Sequence, residues 1–238
     1  MLSLFFVDNL DGTDSQVLLG DEANHAIKVL RLEIGEEIKI SDGTGTWVSG
    51  PIIEKNKKTL GIQITSRGIE SEQKPEIVLV QAVTKSDRNK EMLELITVAG
   101  VDRIIPWQSD RSISKWQIDS DKKWRITIKE ACKQSRRVRI PKLDGVVNAK
   151  QFVTQVNSDD LILVLHEEAK NKFSNISIPA AVSVVYLVIG PEGGISSEEL
   201  NIFKSVNANI VKLGEPVLRS AHAGIAALAA IQTKLGRW

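Results

Sequence analysis

The sequence predicts an α/β protein in two parts: a small β-barrel, then a larger domain built on a mainly parallel sheet. Three observations carry this. The first 70 residues contain five short runs of alternating or β-branched residues bounded by turn signals. A polar stretch over 67–75, with Gly68, Glu70, Glu72 and Pro75, then reads as a linker. Beyond it apolar strands alternate with helical segments, the pattern of a sheet covered on both faces.

In the first part the spacing predicts strands over 4–7, 16–19, 37–41, 46–54 and 60–65. Asp42-Gly43-Thr44-Gly45 is a strong hairpin connection between two of them. One helix interrupts the series, with Asp21 as N-cap and 22–30 as its body. Such a set closes most readily into a barrel. In the second part, 77–82 reads as a continuous apolar strand, and 87–99 as a helix capped by Ser86 and stopped by Gly100. A strand over 101–105, a helix over 122–137, and strands over 161–165 and 182–189 follow. A helix over 196–206, a strand over 210–213 and an Ala-rich helix over 220–235 complete the chain. The expected domains are 1–70 and 76–238.

The chain has 238 residues and a formal net charge of +1, which hides an asymmetry. Residues 1–73 carry 7 Lys/Arg against 12 Asp/Glu, and the remainder 24 against 18. Most of the basic excess lies between Lys85 and Lys142, including Lys133, Arg136, Arg137 and Arg139. With Trp107, Trp116 and Trp124 nearby, this is what a polyanionic partner needs. A solvated helix face is the plainer alternative.

Cys132 is the single cysteine, which excludes an intramolecular disulfide and a thiolate metal cluster. His25, His166 and His222 lie far apart and lack partners at metal-ligand spacing, so no metal is expected. No run reaches the roughly 18–20 apolar residues of a membrane span. Residues 1–7 are too short for a signal sequence and read as the first strand. The expectation is a cytoplasmic protein.

Two loops carry the chemistry. Gly190-Pro191-Glu192-Gly193-Gly194 follows a buried strand and precedes a helix opened by a Ser196/Glu199 capping box. It lies at the carboxyl end of a strand, where open α/β sheets bind ligands. It lacks the Lys-Ser/Thr of a phosphate-binding loop and the spacing of a dinucleotide fingerprint. Its glycines suit backbone contacts to an uncharged ring such as adenine; a tight strand-to-helix turn is the plain alternative. Leu213-Gly214-Glu215-Pro216-Val217-Leu218-Arg219-Ser220 repeats the arrangement of strand, loop and capped helix. Two such loops would build one pocket, with Arg219 at its mouth as an anion holder or as a surface ion pair.

These two segments resemble the SPOUT superfamily of methyltransferases, and more narrowly the 16S ribosomal RNA uridine-N3 methyltransferase family. His25 with Val29-Leu30-Arg31-Leu32 and Gly35 is similar to that family's N-terminal signature. Lys85, Pro106, Arg111-Ser112, Trp124, Glu130-Ala131, Gln134-Ser135, Arg137, Pro141 and Leu165-His166-Glu167 fall in the family's order. The resemblance covers nearly the whole chain.

It implies an N-terminal PUA-like barrel for RNA binding, a C-terminal domain with a trefoil knot, and a homodimer. The implied cofactor is S-adenosylmethionine, held by Leu165, His166, Ile189, Gly190, Gly194, Leu213, Gly214 and Leu218. The implied reaction is methyl transfer to N3 of a uridine of 16S rRNA in the small ribosomal subunit. His25, Arg31, Lys85, Arg111 and Arg137 are the implied RNA contacts.

The chain also departs from the family. Ala221-His222 stands where members carry an acidic residue and a threonine, and Val98-Ala99-Gly100 where Glu-Leu-Gly is common. Leu95 replaces a lysine found in some members.

Methylation at N3 requires an exposed Watson–Crick edge and loss of the N3 proton. A cation near O2 or O4 favours the uridinate. Arg219 is the first candidate for that cation and Arg31 the second. His222 is the candidate base, since a histidine's ordinary pKa suits the task. Competing readings at this point are a SPOUT enzyme acting on ribose 2′-oxygen or tRNA, and a non-catalytic ribosome-assembly factor. A nucleotide-dependent oxidoreductase is disfavoured by the missing glycine fingerprint.

Overall fold

The structure, a computed structural model, describes residues 2–84 and 86–238, the side chains of Ser86 and Asp87 excepted. Lys85, expected to contact RNA, therefore lies outside the described residues.

Six strands form the first sheet: β1 (Ser3–Phe6), β2 (Ser15–Leu18), β3 (Glu37–Ser41), β4 (Thr46–Lys55), β5 (Leu60–Gln63) and β6 (Ser66–Ile69). They run in the order β1-β3-β4-β5-β2, with β6 also on β4. β1 pairs with β3 in parallel and the other pairs are antiparallel. Alternation puts Phe5, Leu18, Ile38, Ile40, Ile52, Leu60 and Ile62 into one buried cluster. The register slips between Ile52 and Glu54, letting the long β4 bend and pair at both ends.

Two expectations change here. β6 occupies part of the stretch read as a linker, because its backbone pairs along β4 from Thr46↔Ile69 to Ser49↔Ser66. Unpaired backbone groups are costly, so that ladder outweighs the polar composition. The first helix, α1 (Gly20–Asn24), starts earlier than expected and has Leu19, without a side-chain bond, at its N-cap. Gly20 (φ +58°) turns the chain into the helix one residue too soon for Asp21 to cap it. The segment then widens to a π-helical turn, His25–Val29, and ends at Arg31 in the left-handed region (φ +55°).

The seven strands of the second sheet are β7 (Glu76–Ala82), β8 (Arg103–Trp107), β9 (Lys142–Leu143), β10 (Leu161–Leu165), β11 (Asn171–Lys172), β12 (Val184–Ile189) and β13 (Asn209–Lys212). Their order is β11-β13-β10-β12-β7-β8-β9, and these pairings are parallel. The helices are α2 (Ser86–Val98), α3 (Ser120–Ser135), α4 (Ala149–Val153), α5 (Ser197–Lys204) and α6 (Ser220–Lys234). On one face Val78, Val80, Trp107 and Val188 pack with Phe152 of α4 and Phe203 of α5. On the other, α6 lies close enough that a Cβ on Gly224 would stand 3.2 Å from Leu79 Cδ2. The small residues of the Ala-rich helix permit that approach.

β8 begins two residues later than expected, while β9, α4 and β11 are too short for periodicity to have shown them. Gly100 adopts φ +86° just beyond α2, a backbone suited to a helix stop. The strand read as wholly apolar holds a polar residue, Gln81, with no solvent exposure.

By compactness the chain divides into residues 1–72 with 129–140, and residues 73–128 with 141–238. The expected division at 70 and 76 did not contain this return. Within the first unit Ser41 Oγ donates to Val138 O (2.7 Å) and Ile140 N to Gly43 O (2.9 Å). Glu22 receives Lys129 (3.1 Å) and Lys133 (2.8 Å), and Arg139 reaches Glu72 (3.5 Å). Burial alone would lower the Lys133 pKa, but hydrogen bonds to Glu22 and Glu130 outweigh it and raise the value.

The acidic N-terminal stretch and part of the basic run therefore neutralise each other inside one unit. This narrows the basic patch expected to face a polyanionic partner, because Lys129, Lys133 and Arg139 are paired within the unit. The tryptophans change similarly. Trp107 is fully buried against Phe203 and Trp124 is 4% exposed, leaving Trp116 half-buried. No described helix is long and apolar enough to cross a membrane.

Candidate active site

Parallel pairing brings the carboxyl ends of β13, β10 and β12 side by side, with Leu165 opposite both Ile189 and Val211. The three loops leaving those ends enclose a cavity of about 300 Å³. That is within the usual range for a small-molecule site. All eight residues expected to hold a cofactor line it: Leu165, His166, Ile189, Gly190, Gly194, Leu213, Gly214 and Leu218. Arg219 lines it as well.

His222 does not. It sits on α6 with Nε2 3.6 Å from Glu91 Oε1, outside the described lining. Ser220 does not cap α6, because Arg219 holds the N-cap position without a side-chain bond. The Ser220 hydroxyl instead donates to Gly190 O at 2.6 Å.

Hydrogen bonds hold each loop. Gln81 Nε2 donates to Ser220 Oγ (3.0 Å), and Ser220 passes a donor to the Gly190 carbonyl. This buried relay joins the glycine-rich loop to the loop before α6. Gly194 turns at φ +75°, a left-handed conformation that favours glycine. A Cβ on Gly190 would meet Ile195 Cγ1 at 2.7 Å, so the wall there must be glycine.

The capping box expected at Ser196 is present, with Glu199 N donating to Ser196 Oγ (3.1 Å) and Ser196 N to Glu199 Oε2 (3.0 Å). Glu199 does more, since its carboxylate is 2% exposed and also accepts from Asp110 N (2.9 Å) and Ser109 Oγ (3.3 Å). That fixes the loop after β8, and Arg111 Nη1 from this loop donates to Gly193 O (3.3 Å). Arg88 of α2 pairs with Glu192 at 3.1 Å.

The cavity wall carries two carboxylates, Glu167 and Glu192, and the cations Lys212 and Arg219. Lys212 is engaged by Glu215 (2.9 Å), and its ammonium holds that carboxyl below the usual range. The polar and charged residues beyond those expected are Glu167, Glu192, Lys212 and Ser220 in the lining, with Gln81 and Glu199 behind it. A glutamine inside an apolar strand was the available signal for Gln81.

Among the other expected RNA contacts, Arg31 is exposed at the end of the π-helical turn, and His25 opens that turn with its ring edge-on to Phe5 (6.3 Å). Arg137 is partly exposed on the segment that follows α3. No cluster of three or more potential metal ligands occurs among the described residues.

An open parallel sheet with a glycine-lined cavity at its carboxyl edge is the architecture of α/β proteins that bind nucleotide-like ligands. Residues 71–232 match the model of an RNA methyltransferase domain, and 18–65 that of an RNA methyltransferase PUA domain. A ribosomal RNA small subunit methyltransferase E from Mycobacterium bovis is 35% identical, covering 99% of this chain and 93% of its own. The protein of that name from Bacillus subtilis is 27% identical over 92% and 91%.

Among solved structures, a Legionella pneumophila protein with S-adenosylmethionine bound shares 28% identity, with a TM-score of 0.87 and 98% of each chain covered. The Neisseria gonorrhoeae ribosomal RNA small subunit methyltransferase E, also solved with S-adenosylmethionine, matches in fold at 24% identity, a TM-score of 0.89 and 98% coverage of each chain. The chain belongs to the RNA methyltransferase family of the ribosomal RNA small subunit methyltransferase E type.

Proposed function

We propose that the protein methylates N3 of a uridine in 16S rRNA of the small ribosomal subunit, using S-adenosylmethionine. One observation supports this most: three adjacent strand ends gather the expected cofactor residues around a single cavity whose wall also carries Arg219. The activity for which the relatives are named supports rRNA as the substrate, and the ligand bound to the Legionella protein supports the cofactor.

The cavity suits that cofactor. Leu165, Ile189, Leu213 and Leu218 supply apolar walls, the glycines expose backbone groups, and Glu167 and Glu192 supply carboxylates toward a cationic ligand. Bound there, S-adenosylmethionine supplies an electrophilic methyl group. The protein's own part is to hold and to polarise. The Gln81–Ser220–Gly190 relay keeps the Gly190 carbonyl fixed, so no reorganisation is needed when ligand arrives. Arg219, on the wall, stabilises the uridinate that forms when N3 loses its proton. Holding the nucleophile in line accounts for roughly 7–11 kcal/mol of barrier in well-oriented systems. Glu167 is the carboxylate of the wall not engaged by Arg88 and is our candidate to take the proton, in place of His222.

The N-terminal unit serves RNA binding through Arg31 and His25, and the chain functions as a homodimer whose C-terminal domain is knotted. Light scattering tests the dimer.

The deciding experiment incubates the protein and labelled S-adenosylmethionine with small subunits lacking N3-methyluridine, followed by nucleoside mass spectrometry. N3-methyluridine is the expected product. A different methylated nucleoside removes the target assignment, and no binding with no product returns the assembly-factor reading. Arg219→Ala should lower turnover far more than cofactor affinity; unchanged turnover removes Arg219 from the mechanism.

A further inference from the structure

The second unit has another cavity, of about 470 Å³, which the mechanism above does not use. It opens beyond the ends of β7 and β8, between Thr84, the first turns of α2, the loop after β8 and the start of α3. Because the sheet is parallel and β7 neighbours β12, this cavity and the first lie on the same carboxyl edge. The Arg88–Glu192 pair links the helix that walls one to the loop that walls the other.

Its lining is built rather than incidental. Trp116 forms part of the wall and stands edge-to-face with the buried Trp124, centroids 4.9 Å apart. Gln108 fixes the loop that carries it, accepting from Trp116 N (2.9 Å) and donating to Ser114 O (3.1 Å). Asn89 and Thr84 exchange hydrogen bonds across the opposite side, including Asn89 Nδ2 to Thr84 O at 3.0 Å. Among the described residues, three lysines, Lys90, Lys115 and Lys123, and one acidic residue, Asp119, line it with the aromatic wall, and Lys90 lies 3.9 Å from Glu94. Asp119 holds Lys123 at 2.6 Å, while Lys115 makes no ion pair among the described residues. A fixed aromatic surface ringed by excess positive charge matches a nucleobase carrying a phosphate.

We infer that this cavity binds a nucleotide of the RNA strand adjacent to the one presented to the first cavity. The inference rests on the RNA-methylation reading. An unpaired strand lying along the carboxyl edge would present its target base at the mouth of the first cavity, where the cofactor is held, and stack a neighbour on Trp116. Lys115 then meets the phosphate, and the second cavity sets register while the first does chemistry.

The test measures anisotropy of a short fluorescein-labelled single-stranded RNA with a central uridine, bound to the full-length protein. Trp116→Ala should weaken binding by about fivefold to a hundredfold, the range typical of one stacked base, and Trp116→Phe should retain most of it. Lys115→Ala should lower the slope of log affinity against log salt by about one. Lys115 is exposed, so its variant reports even where Trp116→Ala fails to fold. In methyl transfer, Trp116→Phe and Lys115→Ala should change the KM for subunits rather than kcat.

Wild-type affinity and salt slope in both Trp116→Ala and Lys115→Ala would overturn the inference. So would equal competition by free uridine monophosphate, which marks a mononucleotide site, or a loss seen with intact subunits but not naked RNA, which marks a protein partner. Cofactor binding by the wild-type protein, measured calorimetrically, reports on the methylation reading separately.

Discussion

Replacing Glu199 by glutamine isolates a single carboxylate. One oxygen accepts from Asp110 N (2.9 Å); the other accepts from Ser196 N (3.0 Å) and Ser109 Oγ (3.3 Å). A glutamine of the same shape has one acceptor and one donor end. Whichever way the amide is placed, its NH2 faces a backbone N–H, because the serine hydroxyl can turn but Asp110 N and Ser196 N cannot. One hydrogen bond to a charged acceptor is lost, at about 1.5–3 kcal/mol, and a donor is left facing a donor. Relief of the carboxylate's desolvation offsets part of this. A net loss of about 2–3 kcal/mol lowers the melting temperature by about 4–12 °C for a chain of this size. Scanning calorimetry reads it directly. Cofactor affinity should fall as well, since the same carboxylate anchors the loop whose Arg111 holds Gly193. A melting temperature within about 1 °C of wild type would refute the view that these three bonds are what the buried charge is for.

Two further expectations concern buried groups. Ser220→Ala removes both bonds of the relay to Gly190 and should weaken S-adenosylmethionine binding about tenfold by calorimetry, a loss of about 1.4 kcal/mol, whereas Ser220→Thr keeps the hydroxyl and the affinity. Cys132 is buried and its thiol pKa is pushed up to about 12, the opposing influence of Arg137 being smaller. It should resist thiol reagents at mildly alkaline pH until the protein is unfolded; rapid labelling of native protein would contradict that burial. Because its folded pKa lies above the unfolded value of about 8.5, its contribution to stability is complete below that pH. The contribution is then lost as pH rises toward about 12. Denaturant titrations across that window should show the decline, and Cys132→Ala should flatten it.

Much of the second sheet was legible because strands and helices alternate there with clear periods and capped ends. The Ser196/Glu199 capping box reads the same in sequence and structure. The two glycine-containing loops were legible as a pair because both follow apolar strands and precede helices. What escaped was long-range. Nothing local marks residues 129–140 as completing the N-terminal unit, since their ion pairs reach back to Glu22 and Glu72. Glu199 declares its capping role at a spacing of three residues, but its bonds to Ser109 and Asp110 span about ninety positions. His222 looked placed for catalysis by its proximity to Arg219 in sequence. Arg219 is extended at the N-cap, so helical periodicity does not align it with His222, whose ring is beside Glu91.

The return of residues 129–140 to the first unit has a consequence for biosynthesis. A fragment ending at residue 72 lacks the partners of Ser41, Gly43 and Glu22, so the first unit cannot be finished when its own first stretch has been translated. On the ribosome the barrel must wait, acidic and incompletely neutralised, until more than half of the chain has emerged. Its maturation is thereby scheduled by the middle of the polypeptide rather than by its own end.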